Sequence, residues 1–398
     1  MEKLLLILFL ALSMNVLYAQ VESDFERFKR EQEAAFNSMK QEFDNSVKQM
    51  ENEYEEYLKA ETEAYNSFIK KMNAIWGNDN VVESTDKEWV EYSDDGKSRS
   101  SVDFEKGEAT IEIIVTPEEV KSEDKLEKKV EQKIKELVIS KGKTKDYDTS
   151  KEKALPLQET PVLEDQVKTP SGVVVTEENV NVTAKEIAKE VVIEKKEITG
   201  DDGKERQVIQ VKLDLAPDHI RTRAEKYKNE VEKYCHKYGV DPAMVLAVMQ
   251  TESSFNPKAK SHVPAYGLMQ IVPSSAGKDC AQSLKKSFST PTANYLYEPE
   301  NNIEMGVHYL YLLRKRYYSE VADPKSRDLC VIASYNTGAG NVSRSLRGDT
   351  KIQKAIPQIN AMSYEDLFKY FERKLLPETQ NYIRKVTERM NEFDKWIK

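Results

Sequence analysis

The sequence predicts two unlike domains in tandem: an N-terminal α+β domain, with one long helix and an antiparallel sheet, then an all-α domain. Three observations carry this. Residues 24–76 hold no Pro or Gly and repeat apolar side chains at Phe36, Met39, Phe43, Val47, Met50, Tyr54, Tyr57, Phe68 and Met72. Steps of three and four are the stripe of a long helix. Two Asp-Gly turn signals follow, at Asp94-Asp95-Gly96 and Asp201-Asp202-Gly203, each flanked by apolar-rich segments. Paired hairpins of this kind imply one antiparallel sheet from a weak internal repeat. From Pro217 onward the chain turns to short amphipathic stretches separated by Gly and Pro.

The charge divides at the same place. Of 398 residues, 32% are charged and 39% hydrophobic, with a net charge of −9. Residues 216–398 carry 28 Lys and Arg against 21 Asp and Glu, a net of +7, and the remainder carries −16. Such a composition excludes a collagen-like or low-complexity chain and, past the first residues, a polytopic membrane protein. The basic half is suited to a polyanion or an anionic wall polymer. Three units are therefore expected: 1–19, 20–215 and 216–398.

Residues 1–19 read as a secretory signal peptide, with Lys3, an apolar run from Leu4 and a small residue at Ala19. The alternative is an uncleaved signal anchor. No Cys stands near the expected cut, so this reading includes no lipid anchor, and the mature chain is expected in the periplasm or cell envelope. The helical stripe from Phe36 to Met72 needs a surface to dock on. A second copy, another protein and the chain's own sheet are the three candidates, with the sheet preferred because its apolar face needs a cover.

The remaining elements follow in order. Trp89 and Tyr92 begin a strand, Val102 and Phe104 lie on its return, and Ala109, Ile111, Ile113 and Val115 alternate along a third. Pro117-Glu118-Glu119 opens a helix expected to run to about Ile139. Residues 141–172, with Pro156, Pro161 and Pro170, read as a linker or long loop. Lys141-Gly142-Lys143-Thr144 resembles the end of a phosphate-binding loop, but Leu137 stands where its first Gly is required. Ile209, Val211, Leu213 and Leu215 repeat the earlier alternation. Residues 219–238 form one amphipathic helix stopped by Gly239, and Asp241-Pro242 starts the next with an N-cap and a Pro at N1.

That next helix carries the chemistry. Val245, Val248, Met249 and Glu252 share one face. An apolar surround and the negative end of the helix dipole both raise a carboxyl pKa. A Glu kept protonated near neutrality is what a general acid for glycosidic cleavage requires. On this helix alone, a head group that simply reaches water is the competing reading. Downstream come Ala265-Tyr266-Gly267-Leu268-Met269-Gln270, then Ser334-Tyr335-Asn336-Thr337-Gly338, then Pro377-Glu378-Thr379-Gln380-Asn381-Tyr382. Taken singly, each reads as a turn, a helix end or a core tyrosine.

In this order and spacing, the motifs resemble the lytic transglycosylases with the goose-type lysozyme-like (SLT) domain. The resemblance runs from about Pro217 to the C-terminus. It rests on Glu252-Ser253-Ser254-Phe255, Gly267-Leu268-Met269-Gln270, Tyr335-Asn336 and Glu378-Thr379 with Tyr382, supported by Asn302-Ile303, Gly306 and Tyr309-Leu310. The front half looks most like that of the membrane-bound type C members, on architecture more than on motifs. Those members are typically lipid-anchored, and this chain departs from them in having no acylatable Cys. Ser334 stands where the family more often has Ala.

The resemblance implies a lyase acting on peptidoglycan glycan strands, without cofactor and without nucleic acid. Glu252 would act as acid and then as base, leaving a 1,6-anhydro end on N-acetylmuramic acid. Ser253, Gly267, Leu268, Met269, Gln270, Tyr335, Asn336 and Tyr382 would form the glycan site. Two alternatives stay open: hydrolysis on the same fold, with Asp279 or Glu298 as water base, and a non-catalytic wall-binding scaffold. His219, His236, His262 and His308 show no paired-ligand spacing, so no metal site is expected. Cys235, Cys280 and Cys330 permit one disulfide with one thiol left over, or burial of all three.

Overall fold

The computed structural model describes residues 2–397, with side chains from residue 25 onward. The signal-peptide reading of residues 1–19 therefore falls outside the described side chains. Two compact units are present, Met1–Glu56 and Tyr57–Lys398. Helix α1 runs from Glu2 to Trp76. In the first unit Phe25, Phe28, Phe36, Met39 and Phe43 are exposed. Among the described residues no helix is long and apolar enough to cross a membrane.

In the second unit, β1 (Glu88–Tyr92), β2 (Ser98–Asp103), β3 (Glu108–Val115), β4 (Glu194–Thr199) and β5 (Glu205–Asp214) form one sheet. Their order is β1-β2-β3-β5-β4, antiparallel throughout. The two hairpins thus meet along β3 and β5, with Ile111 opposite Val211 and Ile113 opposite Ile209.

Strand alternation sends successive side chains to opposite faces, and both faces are covered. Trp89, Val102, Ile111, Ile113 and Val211 pack with Leu126, Val130, Ile134 and Ala184. These last belong to α3 (Glu123–Ile139) and α4 (Val180–Glu190). Val90, Tyr92, Ile198 and Val208 meet Met72 and Trp76 at the end of α1. The expected docking of the stripe on the sheet therefore holds for Phe68 and Met72, with Trp76 beyond the stripe joining them. Trp76 Nε1 donates to Gly96 O at 2.7 Å, and the Arg99 guanidinium lies 4.3 Å above the Trp76 ring.

Two expected helices are each divided. The segment after Pro117, started by a capping box between Thr116 and Glu119, breaks at Lys121-Ser122 into α2 (Pro117–Val120) and α3, with Ser122 in an extended conformation. Residues 219–238 break at Tyr227 into α5 (His219–Lys226) and α6 (Lys228–Tyr238). Between α3 and α4 the chain is irregular, yet it buries Leu157, Val162, Leu163 and Val167 in the sheet's core.

The rest is helices joined by turns and loops. It comprises α7 (Pro242–Ser253), α8 (Lys278–Ser283), α9 (Ala293–Tyr297), α10 (Pro299–Arg316) and α11 (Pro324–Thr337). Then come α12 (Ala339–Arg347), α13 (Ile356–Asn360), α14 (Tyr364–Lys374) and α15 (Pro377–Ile397). Helix α7 is buried on nearly every side, from Ala243 to Gln250, which explains why it lacks a polar face. Cys235, Cys280 and Cys330 are all buried and unbridged. Packing as small hydrophobes is thus the reading that fits, and the disulfide is not formed. Among the described residues no cluster of His, Cys, Asp and Glu is arranged to hold a metal ion.

Candidate active site

Helix α7 is started by its sequence and stopped by its backbone. The Asp241 carboxylate accepts from Ala243 N at 2.9 Å, with Pro242 at the first helical position. At the other end Ser254 and Phe255 both take the left-handed conformation, with φ of 50° and 61°. Two such residues in succession are costly without Gly. Burial holds them: Phe255 is fully enclosed, and the Ser254 carbonyl accepts from Arg223 Nε at 3.0 Å. The reversal leaves Glu252 in the last turn.

The Glu252 carboxyl lies in a partly buried setting made by three elements. Tyr382 of α15 donates its hydroxyl to Glu252 Oε1 at 2.6 Å. Tyr335 of α11 lies close enough for its own ionisation to be opposed by Glu252. Burial pushes the Glu252 carboxyl up from 4.5 to about 7, while the Tyr382 hydrogen bond and the Lys87 ammonium oppose the rise. Asp86 and Glu378 add to it. A carboxyl balanced there can give a proton at neutrality and take one back.

The 267–271 loop beside α7 is held by a small set of bonds. Ser253 Oγ donates to Leu268 O at 2.7 Å. Met269 N donates to Asn302 Oδ1 at 2.8 Å, and Asn302 Nδ2 reaches Tyr266 O and Leu296 O, each at 2.7 Å. Gly267 has φ +74°, and a Cβ there would sit 2.4 Å from Leu296 O. Tyr335 donates to Met269 O at 2.7 Å, tying α11 to the same loop. Across the site, Thr379 Oγ1 donates to Asn336 Oδ1 at 2.7 Å, and Asn336 Nδ2 approaches Glu378 Oε1 at 3.5 Å.

The expected site residues therefore separate into two sets. Glu252, Tyr335, Asn336 and Tyr382 come together around the carboxyl or beside Glu378. The side chains of Ser253, Leu268 and Met269 are fully enclosed. The Gln270 amide is turned inward, donating to Gly267 O at 2.9 Å and Ala259 O at 3.1 Å. With φ at +48°, Gln270 closes the loop on itself, and its amide holds the carbonyls that the tight turn leaves over. These four side chains thus brace the loop beside α7.

The two carboxylates expected as water bases have other charged neighbours. Asp279 lies 3.8 Å from Arg316, and Glu298 has Glu300 and Glu159 as its charged neighbours. Sequence reasoning missed Lys87 and Asp86, which lie just before β1 and face Glu252 from the other half of the chain. It also missed Arg389, whose guanidinium donates to Thr251 Oγ1 at 2.9 Å. Nothing in the spacing of Asp86 or Lys87 marks them; only the tertiary contact does.

Comparison with known proteins bears on both halves. A family model described as the transglycosylase SLT domain matches residues 229–356. Another, the N-terminal domain of membrane-bound lytic murein transglycosylase C, matches residues 30–226. The membrane-bound lytic murein transglycosylase C of Salmonella paratyphi B is 36% identical over 313 residues, covering 78% of this chain and 83% of that protein. The chain belongs to the membrane-bound lytic murein transglycosylase C family. The Mannheimia succiniciproducens member is 32% identical over 320 residues, covering 80% of this chain and 84% of its own. Among solved structures, the 70-kDa soluble lytic transglycosylase of Escherichia coli aligns with a TM-score of 0.34 at 21% identity. That alignment covers 43% of this chain and 24% of the other. In this member of the transglycosylase C family, the N-terminal match includes Asp86 and Lys87. The SLT match ends before α15, so Glu378 and Tyr382 reach the site from beyond it.

Proposed function

We propose that this protein cleaves the β-1,4 bond between N-acetylmuramic acid and N-acetylglucosamine in peptidoglycan, without water, leaving a 1,6-anhydro end. The observation that carries this reading is one carboxyl, Glu252, raised to about 7 and held by a tyrosine hydroxyl. Protonated Glu252 gives its proton to the glycosidic oxygen as the bond to C1 breaks. The resulting carboxylate then takes the proton of the muramic C6 hydroxyl, whose oxygen attacks C1. The proton count closes on one residue, so no second carboxylate is required. The substrate's acetamido oxygen is suited to shield C1 between the two steps.

Tyr382 fixes the carboxyl by occupying Oε1, which leaves Oε2 to carry the transferable proton. Tyr335 and Asn336 frame the glycan groove, while Ser253, Gly267, Leu268, Met269 and Gln270 set the shape of the loop beside it. The net charge of +7 on residues 216–398 favours an anionic wall polymer. Relatives named as membrane-bound, together with the signal-like residues 1–19, support action at the cell envelope.

The test is digestion of purified sacculi. Wild-type protein should release soluble muropeptides, and Glu252→Gln should lose at least about 10²-fold to 10⁴-fold in rate. Unchanged lysis by the Gln variant would remove Glu252 from this role.

A further inference from the structure

Helix α7 ends inside the protein, and buried helix ends need partners for their last carbonyls. Gln250 O accepts from Ser254 N at 3.0 Å, and Ser253 O accepts from Asn256 N at 2.9 Å. Thr251 O, the carbonyl just before Glu252, is met from the other half of the chain. Lys87 Nζ donates to Thr251 O at 2.5 Å and lies 3.3 Å from Gln250 O.

Lys87 is held there by its own backbone. Thr85 Oγ1 accepts from Lys87 N at 3.2 Å and Glu88 N at 3.0 Å, fixing the turn into β1. Lys87 O accepts from Phe104 N at 2.9 Å. The turn is in turn fastened to the catalytic half, where Lys260 N donates to Thr85 O at 3.2 Å. The fully buried Asn256 places Nδ2 at 3.4 Å from both Thr85 O and Asp86 O. Lys87 is thus positioned both at its backbone and at its ammonium.

We propose that Lys87 is a positioning residue for Glu252, by which the N-terminal domain caps the end of the catalytic helix and sets a positive charge beside its carboxyl. This rests on the role given to Glu252 above. The charge opposes the negative end of the α7 dipole and favours the ionised carboxyl. The groups facing Glu252 are Lys87 and Asp86 from the front, Tyr382 and Glu378 from α15, and Tyr335 from α11. Arg389 of α15 acts on Lys87 and Tyr382. Of the groups that most strongly affect Glu252, Lys87 is the cation. The N-terminal domain is thereby part of the acid–base machinery.

The test uses the full chain with Lys87→Met and Lys87→Arg. The titration midpoint of the Glu252 carboxyl is read by ¹³C NMR of glutamate-labelled protein, with Glu252→Gln identifying the signal. This measurement needs no turnover. Lys87→Met should raise the midpoint by about one pH unit, and Lys87→Arg should return it towards wild type. On sacculi, the alkaline limb of the rate–pH profile should move up with the midpoint in the Met variant. An unmoved midpoint, with only a lower melting temperature, would overturn the proposal and leave Lys87 a structural residue. Inactivity of the wild-type protein would instead overturn the lytic reading, and the midpoint would still decide the role of Lys87.

Discussion

In its proposed role, Glu252 joins stability to chemistry. Its carboxyl ionises near 4.5 when unfolded and near 7 in the folded protein. Below pH 4.5 it is neutral in both states and costs nothing; as pH rises towards 7 the folded state increasingly pays for its burial. Folding should therefore weaken across that window, by up to about 3 kcal/mol from this group. Glu252→Gln removes the titration, so urea denaturation should find it more stable than wild type at pH 8 and equal to it at pH 4. Activity should fall above pH 7, where the acid is lost. Tyr382→Phe deletes the hydrogen bond that favours the ionised carboxyl. A charged hydrogen bond is worth about 1.5 kcal/mol or more, so the alkaline limb in that variant should rise by about one unit. A limb left in place would mean that Tyr382 does not act on Glu252.

At the scale of elements, the candidate site is built on one helix end and one loop, both held by buried hydrogen bonds. Gly267→Ala would drive a Cβ into Leu296 O and force a β-carbon onto a backbone at φ +74°. It should cost at least about 2 kcal/mol, read as a lower urea midpoint with unchanged slope. The motif around Glu252 was legible because capping and apolar spacing are local: Asp241, Pro242 and the buried run up to Gln250 are visible in the string. The inward turn of Gln270 was not legible. Its amide pairs with Gly267 and Ala259 because its φ is +48°, and neither fact follows from residue type. The breaks at Lys121 and Tyr227 were hidden for a similar reason, since the periodicity continues across them and only packing separates the turns.

Across the whole of residues 57–398, the sheet was the readable part and its contact with α7 was not. Alternation along β3 and β5 disclosed the strands, and the repeated Asp-Gly turns disclosed their hairpins. The residues that join the sheet to α7 are scattered polar positions without a pattern. Arg223 is the clearest of them. Fully buried, it donates to Ser254 O at 3.0 Å, Phe104 O at 2.8 Å and Gln166 Oε1 at 2.6 Å. Burial pushes its guanidinium down to about 9. Arg223→Met would keep the apolar stem and strand those acceptors, at a cost of about 2–4 kcal/mol. Denaturation should reveal it as a loss shared by both halves in one transition. Two separated transitions would show that the halves are not coupled through this residue.

The most direct test is the mass of the products released from purified sacculi. Intramolecular attack by the muramic C6 hydroxyl leaves out one water, so the muropeptides should be about 18 mass units lighter than their hydrolytic counterparts, and Glu252 alone should suffice for both proton transfers. Products bearing free reducing ends would contradict this, because water would then be the acceptor and a second carboxylate its base.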